Sequence, residues 1–300
     1  MVNDKSVIFS LDLARFTTPD LGYKNGNYVS LFAPGVSFIT SLGLMIGSFF
    51  GASQLGAFSM VAMFALLNCY LIYRLARVIG ITTTAALLGA FTFLFATPAF
   101  VYGVTLYQHH FSTALILLSL NLLVSSASWF SLFLVWLLCA SSVPIDYPNA
   151  ILMIPIGIAA LSRIINFAKT KRAIVINLRP YFLATFFSMI IPLGLFMWFN
   201  KESYGDPLQL SGTVASVARI DETGDPATPE RDFEMLGEEY VKPNKKKKSA
   251  VGFFEPRDLI NGFYTHLFAR DRGIIFFTPV LILALFGFAH LMSLRAELGI

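Results

Sequence analysis

The sequence predicts an all-α protein: a polytopic transmembrane helical bundle of about seven spans plus a juxtamembrane helix, with one long outer-face loop. Three observations lead there. Hydrophobic residues make up 56% of the 300 positions and charged residues 13%, against about 25% charged in soluble domains. Several stretches reach the roughly 20 apolar residues that cross hydrocarbon. Lys and Arg gather in a few short loops, as cytoplasmic connections require. The net charge of +4 follows from that bias and calls for no nucleic-acid partner. The polar start, Met1-Val2-Asn3-Asp4-Lys5, is not expected to be a secretory signal.

Residues 1–30 mix acids, bases and aromatics, and Asn25-Gly26-Asn27 marks a turn; they read as a first outer loop. Residues 31–51 are apolar but opened by Ala33-Pro34-Gly35 and dotted with Ser and Thr, a stretch that either spans or lies at the interface as a juxtamembrane helix. Residues 52–200 form the transmembrane core. Leu55 to Val78 is a strong span ending in Arg74 and Arg77, and Thr83 to Val104 is kinked or ended near Pro98. Leu106 to Pro144 is too long for one crossing, and Ser125-Ser126-Ala127-Ser128 divides it into a hairpin of two. Tyr147 to Ile165 crosses next, followed by a basic loop with Lys169, Lys171, Arg172 and Arg179. Pro180 to Phe199 crosses again and ends in an aromatic anchor, Trp198-Phe199. Residues 201–271 form a polar outer-face loop, and residues 272–300 hold the last span and a cytoplasmic end. Cys69 and Cys139 both fall in apolar segments and read as buried small hydrophobes rather than a disulfide or metal framework.

Between Arg77 and Arg163 the only formally charged residue is Asp146, in Val143-Pro144-Ile145-Asp146-Tyr147-Pro148-Asn149. A lone charge in so apolar a span is a functional-site hypothesis by default. Counting bases puts Arg74, Arg77, Arg163 to Arg179 and Arg295 on the cytoplasmic side, and leaves 105–110, 141–149 and 201–271 outside. Asp146 then sits at a membrane surface, where it caps a helix, lines a site, or both. Tyr107-Gln108-His109-His110 and Arg270-Asp271-Arg272 fall on the same side. Paired histidines there bind a phosphate, or serve as amphipathic anchors; Arg272 binds phosphate or is a boundary charge. No second cluster with ligand spacing accompanies the histidines, so a metal site is not expected. Lys245 to Lys248 read as a solvated loop.

Asn25 to Ser37 with its Pro34-Gly35, then Ala96-Thr97-Pro98, Tyr107 to His110, Asp146-Tyr147-Pro148, and Arg270-Asp271-Arg272-Gly273 before Thr278-Pro279 come in an order that resembles the GT-C membrane glycosyltransferases. More narrowly they resemble the branch related to protein mannosyltransferases and lipopolysaccharide sugar transferases. The resemblance covers nearly the whole chain through short motifs. It implies a multi-pass protein of the plasma membrane with its active site on the outer face. That site would move a sugar from a polyprenyl-phosphate donor to a lipid, glycan or protein acceptor. It also implies a transmembrane helix ahead of the first outer loop, so the chain is expected to be a fragment lacking that helix. An Asp in the first loop would be the catalytic base, with Asp4 ranked above Asp20 and Asp12 last. Arg272, with His109 or His110, would hold the departing phosphate, because an Arg is always charged and matches phosphate geometry. Asp146 would orient a donor or acceptor hydroxyl or fix His110, and Tyr107, Tyr147 and Arg270 would belong to the substrate-binding set. No cofactor is called for, although a divalent cation is compatible with this chemistry. The rival readings are a membrane transporter, disfavoured by the lack of a mid-span charge and of an internal repeat, and a catalytically silent membrane subunit.

Overall fold

A computed structural model describes residues 8–18, 20–126, 128–169, 174–217, 224–226, 259–271 and 273–297. The chain is mostly helical with a few short strands, so the expected fold class holds in its coarse form. Among the described residues two helices are long and apolar enough to cross a membrane: Ser53–Val78, 26 residues, and Pro180–Tyr204, 25 residues. The other apolar helices, among them Thr83–Phe95, His109–Ser125, Trp129–Ser142 and Asn149–Ile164, are shorter than the expected spans. Proline explains part of the shortening, since it lacks the N–H that continues a helix: Pro98 and Pro279 sit at breaks in the predicted spans. The chain divides into two compact units, Met1–Ser41 with Ser126–Phe254, and Leu42–Ser125 with Glu255–Ile300, which cut across the linear order of the predicted segments.

In the first unit the expected first outer loop is structured. Helix α1 (Leu11–Thr17) starts at Ser10, whose hydroxyl accepts from the Leu13 N–H. Strands β1 (Leu21–Lys24) and β2 (Asn27–Ser30) form a hairpin. Its two-residue turn has Asn25 at φ 52° and Gly26 at φ 79°, the left-handed pair that Asn-Gly supplies most readily. A third strand, Ala215–Val217, pairs antiparallel with the other edge of β1. The predicted outer-face loop is therefore stitched to the first loop by backbone hydrogen bonds between segments nearly 200 residues apart, a pairing that local sequence does not announce.

Each face of this sheet has its own core. Leu21, Ala14 and Val217 cluster with Phe9, Tyr23 and Tyr28, while Val29 and Val214 pack with Phe199, Tyr204 and Leu31. Phe199 is thus buried, not an interfacial anchor; Trp198 beside it is exposed. Gly22 permits the second layer, since a Cβ there would stand 2.9 Å from the Leu31 side chain. The same unit contains α7 (Trp129–Ser142), capped by Ser128, the short α8 (Asn149–Leu152), α9 (Ile154–Ile164), and a 3₁₀ stretch (Pro180–Met189) that continues into α10 (Ile190–Tyr204). The Trp136 and Phe186 rings, 4.4 Å apart, pack α7 on the 3₁₀ stretch. The predicted basic loop after α9 is instead an antiparallel pair, Ile165–Lys169 with Ile174–Leu178. β-Branched Ile165, Ile174, Val175 and Ile176 favour that extended backbone.

In the second unit, α3 (Ser53–Val78) packs with α4 (Thr83–Phe95) and α6 (His109–Ser125), while α5 (Ala99–Gly103) follows the Pro98 break. The buried residues of α3, Ala57, Val61, Ala65, Asn68 and Leu71, recur at three- and four-residue steps along one stripe. Helix α2 (Gly35–Ser48), shorter at both ends than predicted, runs from the first unit into the second. Helices Leu259–Phe268, Ile274–Phe277 and Val280–Glu297 complete the second unit, the last two separated at Thr278-Pro279. Cys69 and Cys139 are both free thiols.

Candidate functional site

The turn after α7 organises the first unit. The Asp146 N–H donates to the Ser142 carbonyl at 3.1 Å, the Asn149 N–H to the Asp146 carbonyl at 3.0 Å, and the Asn149 side-chain amide to the Ser142 carbonyl at 3.0 Å. Buried Asn149 thus closes the turn, while Asp146 stays half-buried at its edge. The Pro34-Gly35 motif docks on this turn: the Gly35 N–H donates to the Pro144 carbonyl at 2.6 Å. A Cβ on Gly35 would sit 2.7 Å from that oxygen and 2.7 Å from the Ile145 side chain, so glycine is required by close approach. Two motifs chosen from the sequence therefore meet in one contact.

Four further bonds hold the turn, the first-loop sheet and the end of α10 to their neighbours. The Tyr147 hydroxyl and the Ser211 hydroxyl lie 2.8 Å apart, and the Ser211 N–H donates to the Tyr147 oxygen at 3.2 Å. The buried Tyr204 hydroxyl donates to the Ser30 carbonyl at 3.0 Å. The Asn25 amide donates to the Tyr204 carbonyl at 3.3 Å, beside the left-handed Gly205 that ends α10. Burial pushes the Tyr147 hydroxyl above its ordinary range; the bonds from Ser211 oppose this, and the neighbouring Asp146 charge adds to it. Tyr147 is thus held as a neutral hydroxyl, able to donate or accept a hydrogen bond. Ser211, Tyr204 and Ser30 escaped sequence reasoning because a serine or tyrosine in a loop carries no signal of its long-range partner.

An apolar groove of about 260 Å³ runs along the same turn. Val143 and Ala150 line it beside Trp136 and Cys139 of α7, Met153 and Ile154, with Met189 and Leu193 closing the far wall. Its lining is apolar, and Asp146 and Tyr147 lie in the turn between Val143 and Ala150.

The three acids of the first loop differ. Asp12 is exposed and paired with Arg15 at 3.3 Å; Arg15 also grips Asp225, 2.7 Å from Nη2 and 2.8 Å from Nε. Asp20 is exposed, stands immediately before β1, and neighbours Leu21, which is in register with both Ser30 and Val217. Asp20 therefore lies at the sheet end that leads through Ser30 to Pro34-Gly35. Asp4 lies outside the described residues, as does Arg272.

The remaining expected site residues belong to the second unit. Tyr107 and His109 are exposed and cluster with Tyr102, with ring centroids 4.3 Å (Tyr102 to His109) and 5.9 Å (Tyr107 to His109) apart. Arg270 is exposed after Leu259–Phe268. His110 points the other way, 2% exposed, because successive helix positions face about 100° apart. Its Nε2 is 2.8 Å from the Ala99 carbonyl and must carry the proton; its Nδ1 accepts from the Asn68 amide at 3.1 Å. The second Asn68 amide hydrogen goes to the His110 carbonyl at 3.0 Å, which fixes this amide orientation. Both ring nitrogens are used internally, so the expected surface pair of histidines is one exposed ring and one buried link between α3, α5 and α6. Among the described residues no group of three or more His, Cys, Asp or Glu has the placement to hold a metal ion.

The chain matches no protein-family model, no curated protein and no solved structure. The functional reading therefore rests on the residues and on the geometry just described.

Proposed function

We propose that this chain is an integral-membrane glycosyltransferase of GT-C type. In this reading it moves a sugar from a polyprenyl-phosphate carrier to a lipid, glycan or protein acceptor at the outer face of the plasma membrane. The observation that carries the reading is the turn at Asp146-Tyr147. It adjoins an apolar groove suited to a lipid chain, its Pro144 carbonyl receives the Gly35 N–H that opens α2, and its Tyr147 bonds to Ser211 of the segment whose strand pairs with β1, the strand that follows the exposed Asp20. A lipid-linked sugar needs both environments, hydrocarbon for its tail and polar groups for its head. The multi-pass arrangement of about seven spans belongs to this proposal and goes beyond the two helices long enough to cross.

In the proposed reaction an acceptor hydroxyl attacks the anomeric carbon. Its proton passes to the Asp20 carboxylate as the new glycosidic bond forms, and the bond to the carrier phosphate breaks with its electron pair on the phosphate oxygen. Asp146 and Tyr147 orient sugar hydroxyls, the first as acceptor and the second as a neutral hydroxyl. The roles of Asp4, Tyr107, His109, Arg270 and Arg272 rest on the sequence resemblance alone, and His110 receives none.

The test is transfer of labelled sugar by the full chain in liposomes, with a panel of polyprenyl-phosphate hexoses and membrane extract as acceptor. Wild-type transfer that Asp20→Asn reduces on the order of 10² to 10⁴-fold supports the assignment. Full activity in the Asp4→Asn, Asp20→Asn double variant overturns it. Absence of transfer while the donor still binds would point to a catalytically silent lipid-binding subunit.

A further inference from the structure

In the first unit, the end of α7 remote from the Asp146 turn carries an arrangement that the transfer reaction does not use. Helix α9 returns to that end and finishes at Ile164, where the strand pair Ile165–Lys169 with Ile174–Leu178 begins. Ile165 is in register with Leu178, and beyond them the Arg179 N–H donates to the Ile164 carbonyl at 3.1 Å. The strand pair therefore brings Arg163, in the last turn of α9, and Arg179, at the head of the 3₁₀ stretch, onto neighbouring backbones. Both arginines are exposed. The Arg179 guanidinium lies over the Phe182 ring, 6.0 Å from its centroid, a contact that steadies the cation without using its N–H donors.

Three observations say what these cations meet. Arg179 immediately precedes Pro180–Tyr204, one of the two stretches long and apolar enough to cross a membrane, so it stands where hydrocarbon gives way to headgroups. Trp129 at the start of α7 and Tyr181 beside Arg179 have ring centroids 6.1 Å apart, and Tyr181 is 69% exposed. Trp and Tyr collect at that same level of a bilayer. The charge is also one-sided. Residues 163–179 contain five Lys and Arg, and no Asp or Glu occurs from Tyr147 to Lys201. Among the described residues neither arginine has a carboxylate partner. A guanidinium is always charged and matches the oxygens of a phosphate, and bases at a membrane surface draw anionic lipids to themselves.

We propose that Arg163 and Arg179 clamp the headgroup phosphate of an anionic phospholipid, with Trp129 and Tyr181 at the level of its glycerol. The proposal rests on the membrane placement of the chain and not on sugar transfer. The experiment reconstitutes the full chain in phosphatidylcholine liposomes holding a trace of acyl-chain spin-labelled phosphatidylglycerol or, separately, phosphatidylcholine. Electron paramagnetic resonance then gives the fraction of each label slowed at the protein surface. The parent chain slows phosphatidylglycerol several-fold more than phosphatidylcholine. Arg163→Gln with Arg179→Gln lowers that preference by about two-fold or more, because each base near the surface strengthens the hold on an anionic headgroup. Lys201→Gln, at the other end of the Pro180–Tyr204 stretch, leaves it unchanged. Equal slowing of the two lipids by the parent chain overturns the proposal. So does a preference that survives in the double arginine variant, or that Lys201→Gln lowers as far. Slowing of neither lipid overturns it together with the membrane placement, whereas a preference that persists in a chain inactive in sugar transfer overturns the transferase reading alone.

Discussion

The turn of the first unit and the α3–α6 seam of the second are both polar patches in apolar surroundings, yet they are built for opposite ends. In the seam, polar atoms face inward and one another. His110 is held by Asn68 and the Ala99 carbonyl, and Asn121 donates to the Leu71 and Leu117 carbonyls. Such bonds pair polar atoms that burial between apolar helices would otherwise leave unsatisfied. At the turn, the bonds bridge segments far apart in the chain, and half-buried Asp146 and Tyr147 lie between Val143 and Ala150 of the groove wall. Polar residues of the seam fasten neighbouring helices, whereas those of the turn fasten segments far apart in the chain.

The comparison is most sharply tested by activity. Under the proposed function, Asp20→Asn lowers transfer on the order of 10² to 10⁴-fold, while Asp12→Asn leaves it within a few-fold, because Asp12 is occupied by Arg15. Equal losses in a liposome transfer assay would break the distinction between a reactive and a structural acid. The next effect lies in the seam. His110→Ala strands the Ala99 carbonyl and an Asn68 amide hydrogen, each costing about 1–3 kcal/mol, whereas His109→Ala, on an exposed ring, leaves thermal unfolding within about 0.5 kcal/mol. Unfolding of both variants in the same detergent decides this. Gly35→Ala sets a methyl against the Pro144 carbonyl and the Ile145 side chain and destabilises by about 1–3 kcal/mol, visible as a lowered Tm.

The smallest effect concerns Tyr147. Tyr147→Phe and Ser211→Ala each cost about 0.5–1.5 kcal/mol, and the double variant costs less than their sum if the hydroxyls share one bond. The same pair sets an alkaline limit. Because the Tyr147 hydroxyl is raised in the folded protein, its contribution is fully present below the ordinary tyrosine value of about 10. It fades as pH rises from there through the raised value. In a pH series of melting temperatures, Tyr147→Phe shows a shallower decline above pH ~10 than the parent chain.

Much of the architecture follows from local chemistry. Apolar composition specifies helices, Ser128 and Thr82 cap them, Pro98 interrupts one, and Asn25-Gly26 folds a two-residue hairpin. These features depend on residues within a few positions of one another, so the sequence alone determined them, together with Asp146 as the lone charge of its span. Tertiary structure decided the rest. The pairing of Ala215–Val217 with β1, the seat of Gly35 on Pro144 and the Tyr147–Ser211 bond join residues whose separation leaves no periodic trace. The helix turn of about 100° per residue separated His109 from His110, a geometric fact that adjacency in sequence conceals. Local propensity acts over single turns, whereas the register of distant strands and the docking of a turn are set by which buried surfaces fit, and only the folded chain expresses that.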